Sequence, residues 1–191
     1  YPEVCPREDC HEPLDPTSDM TWELINGVLS EWSGNEKRKG IFFDDFYHMG
    51  GDEVDTSCWK STQRIVDWMK ENNFTDHDTY KYFVKKVHEF VNQKQRNGIY
   101  WEEVWNNFGT DLDRSTVIQT WLSKKTMKSV VQNGYRVIIS DPVVYLDHLD
   151  QTWADLYKDE PFEFTDVPEE QALVLGGEAC MWAETVDVSD L

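Results

Sequence analysis

The stretch Thr116–Ser140, with the sequence TVIQTWLSKKTMKSVVQNGYRVIIS, carries the pattern that decides the fold. Its apolar first part, Thr116–Leu122, predicts a strand. Ser123–Asn133 then predicts a helix that ends at Gly134, and Tyr135–Ser140 predicts a second strand. Two strands joined through a helix run parallel, because the crossover returns the chain to the starting edge of the sheet. The stretch therefore predicts a β-α-β unit.

The same alternation of strands and helices extends through most of the chain. Strands are predicted at about residues 42–49, 99–104, 116–122, 135–140 and 173–176, and helices at about 19–33, 57–72, 78–96 and 123–133, with 150–168 helical only in part. Such alternation is typical of an α/β protein with a parallel sheet. Gly50-Gly51 runs into carboxylates that would repel a phosphate, so the pattern favours a (β/α)8 TIM barrel over a doubly wound nucleotide-binding sheet.

The composition limits the class of partner. The chain has 191 residues, of which 39% are hydrophobic, enough for one folded domain with a core. Its formal net charge is −19, which repels nucleic acid and anionic membrane surfaces, so we expect neither as a partner. The sequence also lacks an apolar run as long as a membrane span. Nine Trp is a high number, and the face of a Trp ring is a suitable platform for a sugar.

Four Cys and one glycosylation sequon bear on the compartment. The sequon is Asn73-Phe-Thr75, which acts only in the secretory pathway. Together with the Cys it favours an oxidising compartment and one disulfide. The alternative is a zinc site, but the chain has no Cys-x2-Cys pair. Its ligands would include Cys5, Cys10, His11 and Cys58.

The segment His48-Met-Gly-Gly-Asp-Glu53 ends a predicted strand with two adjacent carboxylates, Asp52 and Glu53. Carboxylates at a strand end suggest general acid and base chemistry, although a solvated acidic turn is the alternative. A retaining glycosidase ordinarily needs two carboxyls flanking the scissile bond, whereas neighbours on an extended chain point to opposite faces. If Glu53 is the acid, Asp52 has another role and the nucleophile comes from elsewhere. The substrate is one source of it.

A longer segment, Tyr47-His-Met-Gly-Gly-Asp-Glu-Val-Asp-Thr-Ser-Cys-Trp59, resembles the signature of glycoside hydrolase family 20, the β-N-acetylhexosaminidases. It is most similar to the eukaryotic lysosomal, plant and protist members. The resemblance continues, in the family's order, through Ile99–Val104, Val117–Trp121, Tyr145–Asp147 and Leu175–Glu184. It implies retaining hydrolysis of terminal GlcNAc or GalNAc residues through the substrate's own 2-acetamido group, without a cofactor or a metal.

The resemblance also implies a role for each matching residue. Glu53 is expected to protonate the glycosidic oxygen and later to activate water, while Asp52 holds the acetamido N–H. Tyr145 is expected to donate its hydroxyl to the acetamido carbonyl oxygen. The sugar and its acetamido methyl are expected to contact Trp101, Trp121 and Trp182, and the outer hydroxyls to contact Asp147 and Glu184. The alternatives from sequence are core packing or loop anchoring for the Trp residues and a buried corner for Tyr145.

Several neighbouring residues are expected to support the site. His48 is expected to point inward from its strand as a hydrogen-bonded core residue with a supporting role. Glu102 and Glu103 are interpreted as supporting or solvated. Cys58 is predicted to pair with Cys10 and tie the first loop to the active-site loop, with Cys5 as the alternative partner.

The resemblance further implies that residues 1–191 form a partial catalytic domain. They correspond to roughly the C-terminal five strands of the barrel, without its N-terminal strands and an accessory domain. We expect the isolated piece to be inactive and poorly stable, because an open sheet edge exposes core and unpaired backbone groups. The full-length protein is expected in the secretory pathway, in the lysosome or vacuole or secreted, and as a homodimer, as family members often are.

Two other functional classes compete with this interpretation. One is a carbohydrate-binding protein without catalysis, which would retain the Trp residues and lose the acid. The other is a metal-dependent hydrolase, although a strand would scatter its ligands over both faces. Those ligands would be Asp44, Asp45, His48, Asp52 and Glu53.

The pair Asp147-His148 predicts a preference for neutral substrates. In the resembled family this position holds either Asp or an Asn with a neighbouring Arg, which suits an anionic group at C6 of the sugar. Because a carboxylate repels such an anion, we expect faster cleavage of a neutral N-acetylhexosaminide than of its 6-sulfated analogue. Equal rates of hydrolysis of the two chromogenic substrates by the intact enzyme would contradict the prediction.

Overall fold

A computed structural model describes residues 2–35, 38–140, 145–146, 152–158 and 160–182. By its internal contacts the chain divides into two compact units, residues 1–98 and residues 99–191. In the described part of the chain, no helix has the length and apolar character needed to cross a bilayer.

The first unit is built mainly from helices, with three short strands between the first and the second helix. After a 3-10 turn at Pro2–Val4 its elements are α1 (Asp19–Ser33), an antiparallel pair β1 (Gly34–Asn35) and β2 (Arg38–Lys39), β3 (Phe46–His48), α2 (Ser57–Ser61), α3 (Gln63–Glu71) and α4 (Asp76–Gln93). The strand predicted at 42–49 is therefore shorter than expected. The helix predicted at 57–72 is divided in two at Thr62, whose hydroxyl donates to the backbone oxygen of Cys58 at 2.8 Å.

Helices α1 and α4 pack through aromatic rings. The ring of Trp22 on α1 lies 4.9 Å from that of Phe83 and 5.8 Å from that of Tyr82, both on α4. A second buried group joins Leu29, Tyr47 and Val91, which belong to α1, β3 and α4. Tyr47 thus faces the helices, and the opposite face of β3 presents His48.

The turn between α3 and α4 contains the predicted sequon, and both of its polar residues have backbone roles. Asn73 has a φ of 55° and follows the end of α3, where Phe74 N donates to Met69 O at 2.8 Å. This is the left-handed position that closes many helices, and Asn tolerates it. Thr75 caps α4: its hydroxyl accepts from Asp78 N at 3.1 Å, and Asp78 accepts from Thr75 N at 2.9 Å.

The second unit alternates strands and helices. Its elements are β4 (Asn97–Trp101), α5 (Glu102–Phe108), a 3-10 turn (Gly109–Asp111), β5 (Val117–Thr120), α6 (Lys124–Gln132), β6 (Arg136–Ile139), α7 (Trp153–Lys158), α8 (Pro168–Gln171) and β7 (Val174–Gly177). Asn97-Gly98 opens β4, and the preceding helix ends at Gln93, two residues before Gln95 with its φ of 58°. The first two residues of β4 still belong to the first unit, where Asn97 N donates to Asp45 O at 2.8 Å.

The sheet confirms the predicted parallel α/β class. Within the described ranges its strand order is β3-β4-β5-β6-β7, and the pairs from β4 to β7 are parallel. All four residues of β5 are buried, as expected for a strand covered on both faces. The order follows the sequence without the reversal that a doubly wound sheet requires, so it favours a barrel segment.

One predicted strand ends early. The pattern of residues 99–104 was expected to continue as a strand, but β4 stops at Trp101 and Glu102 begins α5. The buried side chains Val104, Trp105 and Phe108 follow helical spacing, which explains why this segment turns.

A disulfide joins the first loop to α2. Cys10 and Cys58 are linked with their Cα atoms 5.7 Å apart, so the alternative pairing with Cys5 is not the one the structure holds. Nearby, Trp59 Nε1 donates to Leu14 O at 3.0 Å, and the guanidinium of Arg64 binds the buried carboxylate of Asp15. These contacts attach the first loop to the two helices that follow Glu53.

Loss of this disulfide should destabilise the first unit. Its two Cys are 48 residues apart in sequence. Opening a loop of that length is expected to lower the free energy of unfolding by about 2–4 kcal/mol. We therefore expect the double variant Cys10→Ser/Cys58→Ser to unfold at lower temperature and lower urea concentration than the parent chain.

The matched control is Cys5→Ser, which leaves the disulfide intact. Added reductant should lower the midpoint of the parent chain and of Cys5→Ser, and should leave the double variant unchanged. A double variant as stable as the parent chain would contradict the prediction.

Candidate active site

One group of candidate residues, in the first unit, lies in the turn that follows β3. Gly50, Gly51 and Glu53 have φ values of 69°, 94° and 46°, all in the left-handed region. The chain from Gly50 to Glu53 is therefore a tight turn, as the two Gly residues allow, and the extended geometry expected for the neighbours Asp52 and Glu53 is wrong at Glu53. Positive φ at Glu53 is uncommon for a residue with a side chain, and such strain often accompanies functional sites.

The turn is held by side chains on both sides. Tyr80, a buried residue of α4, donates its hydroxyl to the backbone oxygen of Gly51. Gly50 N donates to His48 Nδ1 at 3.1 Å. His48 is exposed, which corrects the expectation of a core residue: β3 turns Tyr47 towards the helices and His48 to the other face. The hydrogen bond between Gly50 and His48 nevertheless stabilises the turn.

The carboxylates of Asp52 and Glu53 are both exposed. The segment that follows them is attached to the start of α4. The hydroxyl of Thr56 donates to Asp76 at 2.6 Å, and Lys60 lies 3.2 Å from the same carboxylate. The hydrogen bond from Thr56 is the main reason that the pKa of Asp76 lies below its usual value. The two carboxylates therefore project from a turn whose neighbouring segments are fixed.

A separate group of candidate residues, four aromatic rings, belongs to the second unit. We call it the aromatic box; its members are Trp101, Trp121, Tyr145 and Trp182. Trp101 lies 6.4 Å from Trp121 and 6.2 Å from Trp182, and Tyr145 lies 6.3 Å from Trp121 and 6.4 Å from Trp182, between ring centroids. Each ring thus contacts two others in a closed cycle. The structure therefore brings together the three Trp residues that were expected to contact the sugar and the Tyr that was expected to donate its hydroxyl.

Two carboxylates fix one wall of the aromatic box. Glu102 is 0% exposed and accepts from the backbone N–H of Trp121 and of Leu122, each at 2.7 Å. Glu103 accepts from the indole N–H of Trp121 at 3.0 Å. The main chain and the ring of Trp121 are therefore both held, and Glu102 and Glu103 are supporting residues rather than solvated ones.

Tyr145 is held through the segment after β7. Tyr145 forms a parallel bridge with Cys180, and Leu146 N donates to Cys180 O at 2.7 Å. Tyr145 is 7% exposed, and its ring is parallel to that of Trp121 within 3°. Trp182, two residues beyond Cys180, is 42% exposed.

Two predicted site residues, Asp147 and Glu184, lie outside the described residues. Among the residues that are described, no group of three or more His, Cys, Asp or Glu side chains is placed to bind a metal ion.

Sequence reasoning missed Gln119 on β5. It is 2% exposed, and its amide donates to Ser140 Oγ at 2.7 Å and to the carboxylate of Glu178. The available signal was a lone amide inside the otherwise apolar run 116–122, because a buried amide must find hydrogen-bond partners.

The comparisons with known proteins agree with these features. Residues 3–191 match the catalytic domain of glycosyl hydrolase family 20. Beta-hexosaminidase 1 of Arabidopsis thaliana is 42% identical over 190 residues, 99% of this chain and 34% of that protein. Beta-hexosaminidase subunit beta of Mus musculus is 35% identical over 186 residues, 94% of this chain and 33% of that protein. The chain thus spans about a third of the length of the curated relatives it matches.

Solved structures support the fold. The family 20 exo-β-N-acetylglucosaminidase of Vibrio harveyi, in complex with N-acetylglucosamine, superimposes with a TM-score of 0.79 at 20% identity, over 93% of this chain and 29% of that chain. The β-N-acetylhexosaminidase of Bacteroides fragilis gives a TM-score of 0.74 at 22% identity, over 95% of this chain and 39% of that chain. With the sequential strand order, these likenesses confirm the TIM-barrel class. The match over residues 3–191, the aromatic box and the Asp52–Glu53 turn lead to one conclusion: the chain belongs to glycosyl hydrolase family 20.

Proposed function

We propose that the protein containing this chain hydrolyses terminal, non-reducing β-linked N-acetylhexosamine residues with retention of configuration. The observation that carries the proposal is the aromatic box, in which a tyrosine hydroxyl belongs to the same closed group of rings as three tryptophans. An acetamido group has an apolar methyl and a polar carbonyl, and such a group suits both features.

The spacing of the rings fits a small apolar group. Adjacent centroids are 6.2–6.4 Å apart. A methyl carbon at the middle of a square of that side would lie about 4.5 Å from each ring centroid, which is a contact distance for apolar groups. The tyrosine hydroxyl would then donate a hydrogen bond to the carbonyl oxygen beside that methyl, and so hold the acetamido group in one orientation.

The two carboxylates would then have different roles in the reaction. Glu53 gives its proton to the glycosidic oxygen as the bond to the anomeric carbon breaks. The acetamido carbonyl oxygen attacks that carbon from the other side, while Asp52 accepts the acetamido N–H and stabilises the positive charge of the oxazolinium. Water activated by Glu53 opens the intermediate. The substrate thus supplies the nucleophile, as in the substrate-assisted exceptions to the two-carboxylate rule.

The relatives support the same substrate class. The Arabidopsis and mouse relatives are named beta-hexosaminidases, and the Vibrio structure holds N-acetylglucosamine. For the full-length protein we propose a place in the secretory pathway, in the lysosome or vacuole or outside the cell, and a homodimeric assembly. The disulfide between Cys10 and Cys58 and the exposed sequon at Asn73 support the compartment.

The decisive test of the mechanism is Glu53→Gln in the full-length protein. The amide cannot donate the required proton, so we expect kcat on a chromogenic N-acetyl-β-glucosaminide to fall by about 100-fold or more. Glu71→Gln, an exposed carboxylate at the end of α3, is the matched control and should keep full activity. Cleavage by Glu53→Gln at the parental rate would exclude the proposed acid.

The same assay separates the competing classes. Turnover that EDTA abolishes would favour a metal-dependent hydrolase, and tight binding of N-acetylglucosamine with no turnover would favour a carbohydrate-binding protein. The proposal expects turnover that is insensitive to EDTA. It also expects no turnover of the matching β-glucoside, which has no acetamido group.

A further inference from the structure

A hydrogen-bonded chain links the ends of three strands to the tyrosine of the aromatic box. It begins at Gln119 on β5, whose amide N–H groups reach Ser140 just after β6 and Glu178 just after β7. Gln119 is 2% exposed and Ser140 is 0% exposed, so the hydrogen bond between them lies inside the protein. One side chain therefore fixes the relative positions of three strand ends.

The chain continues from Glu178 to the segment that bears Tyr145. The carboxylate oxygen of Glu178 that accepts from Gln119 lies 3.8 Å from Cys180 Sγ. Cys180 is the residue that pairs with Tyr145, and its backbone oxygen accepts from Leu146 N at 2.7 Å. The position of Glu178 is thus transmitted to the tyrosine through one residue.

We propose that Gln119 and Glu178 are positioning residues that set the placement of the Tyr145 hydroxyl for the reaction. The inference rests on the proposed function, since it concerns the residue that would bind the acetamido oxygen. Glu178 is exposed, yet its carboxylate accepts from the buried amide of Gln119 and lies beside Cys180 Sγ. The polar bond between Gln119 and Glu178 therefore holds the β7 end, and with it Cys180 and Tyr145.

The alternatives make different predictions. If the two residues only stabilise the fold, their loss lowers the melting temperature and leaves kcat of the folded enzyme unchanged. If Glu178 instead touches the sugar, its loss raises KM and acts independently of Tyr145. A positioning role lowers kcat through Tyr145, because small displacements of a catalytic group are costly in rate.

The test is a double-mutant cycle in the full-length protein. Glu178→Ala and Tyr145→Phe are made singly and together, and kcat, KM and thermal unfolding are measured on a chromogenic N-acetyl-β-glucosaminide. We expect Glu178→Ala to lower kcat by about 10-fold or more in the parent protein and by less than about twofold in the Tyr145→Phe background. Additive losses, or an unchanged kcat in folded Glu178→Ala, would overturn the inference.

Conservative and control variants sharpen the result. Glu178→Gln keeps an acceptor oxygen for Gln119 and should recover most of the kcat that Glu178→Ala loses, whereas equal losses would count against positioning. Gln119→Ala should resemble Glu178→Ala, and Glu169→Ala, an exposed carboxylate on α8, should resemble the parent. Tyr145→Phe with parental kcat would contradict the proposed function itself, so the two failures are distinguishable.

Discussion

The carboxylate of Glu102 imposes the central constraint on the second unit. It has no exposure to water, so its oxygens must find hydrogen-bond donors within the protein. The structure provides two backbone N–H groups at the end of β5. Because the carboxylate begins α5 directly after β4, this contact fixes the ends of two neighbouring strands relative to one another. Trp101 and Trp121, which stand at those two ends, owe their mutual placement to it.

The sequence predicts a helix or strand accurately where residues at its ends mark its boundaries. The β-α-β unit at 116–140 was predicted within two residues, because Ser123 caps α6 through Lys125 N and Gly134 takes a φ of 79° after it. The segment 99–104 lacks such marks. The helical spacing of Val104, Trp105 and Phe108 is compatible with α5, but the donors that hold Glu102 at the start of the helix lie 19 and 20 residues further along the chain.

The candidate site residues were likewise predictable from sequence only in part. Membership of the aromatic box followed from strand ends and from the family's motif blocks, whereas the ring geometry and the contacts of Glu102 and Glu103 required the fold. The two Gly residues mark the turn at Gly50–Glu53, but extended backbone is the sequence-based expectation for Asp52 and Glu53, because a positive φ at a glutamate is rare and is not visible in the sequence. Tyr80, which holds Gly51, lies 29 residues further along the chain.

The turn between α3 and α4 has an evolutionary consequence. Asn73 and Thr75 are both suited to ending one helix and starting the next, independently of any sugar. Besides Gly, Asn is one of the few residues that tolerate the backbone at position 73, and Thr is one of the few that cap a helix at position 75, so selection for the helix boundary favours a small set of residues that includes the glycosylation signal. Conversely, removing the signal at Thr75 would also remove a helix cap, whereas Gly at position 73 would suit the left-handed backbone and delete only the acceptor.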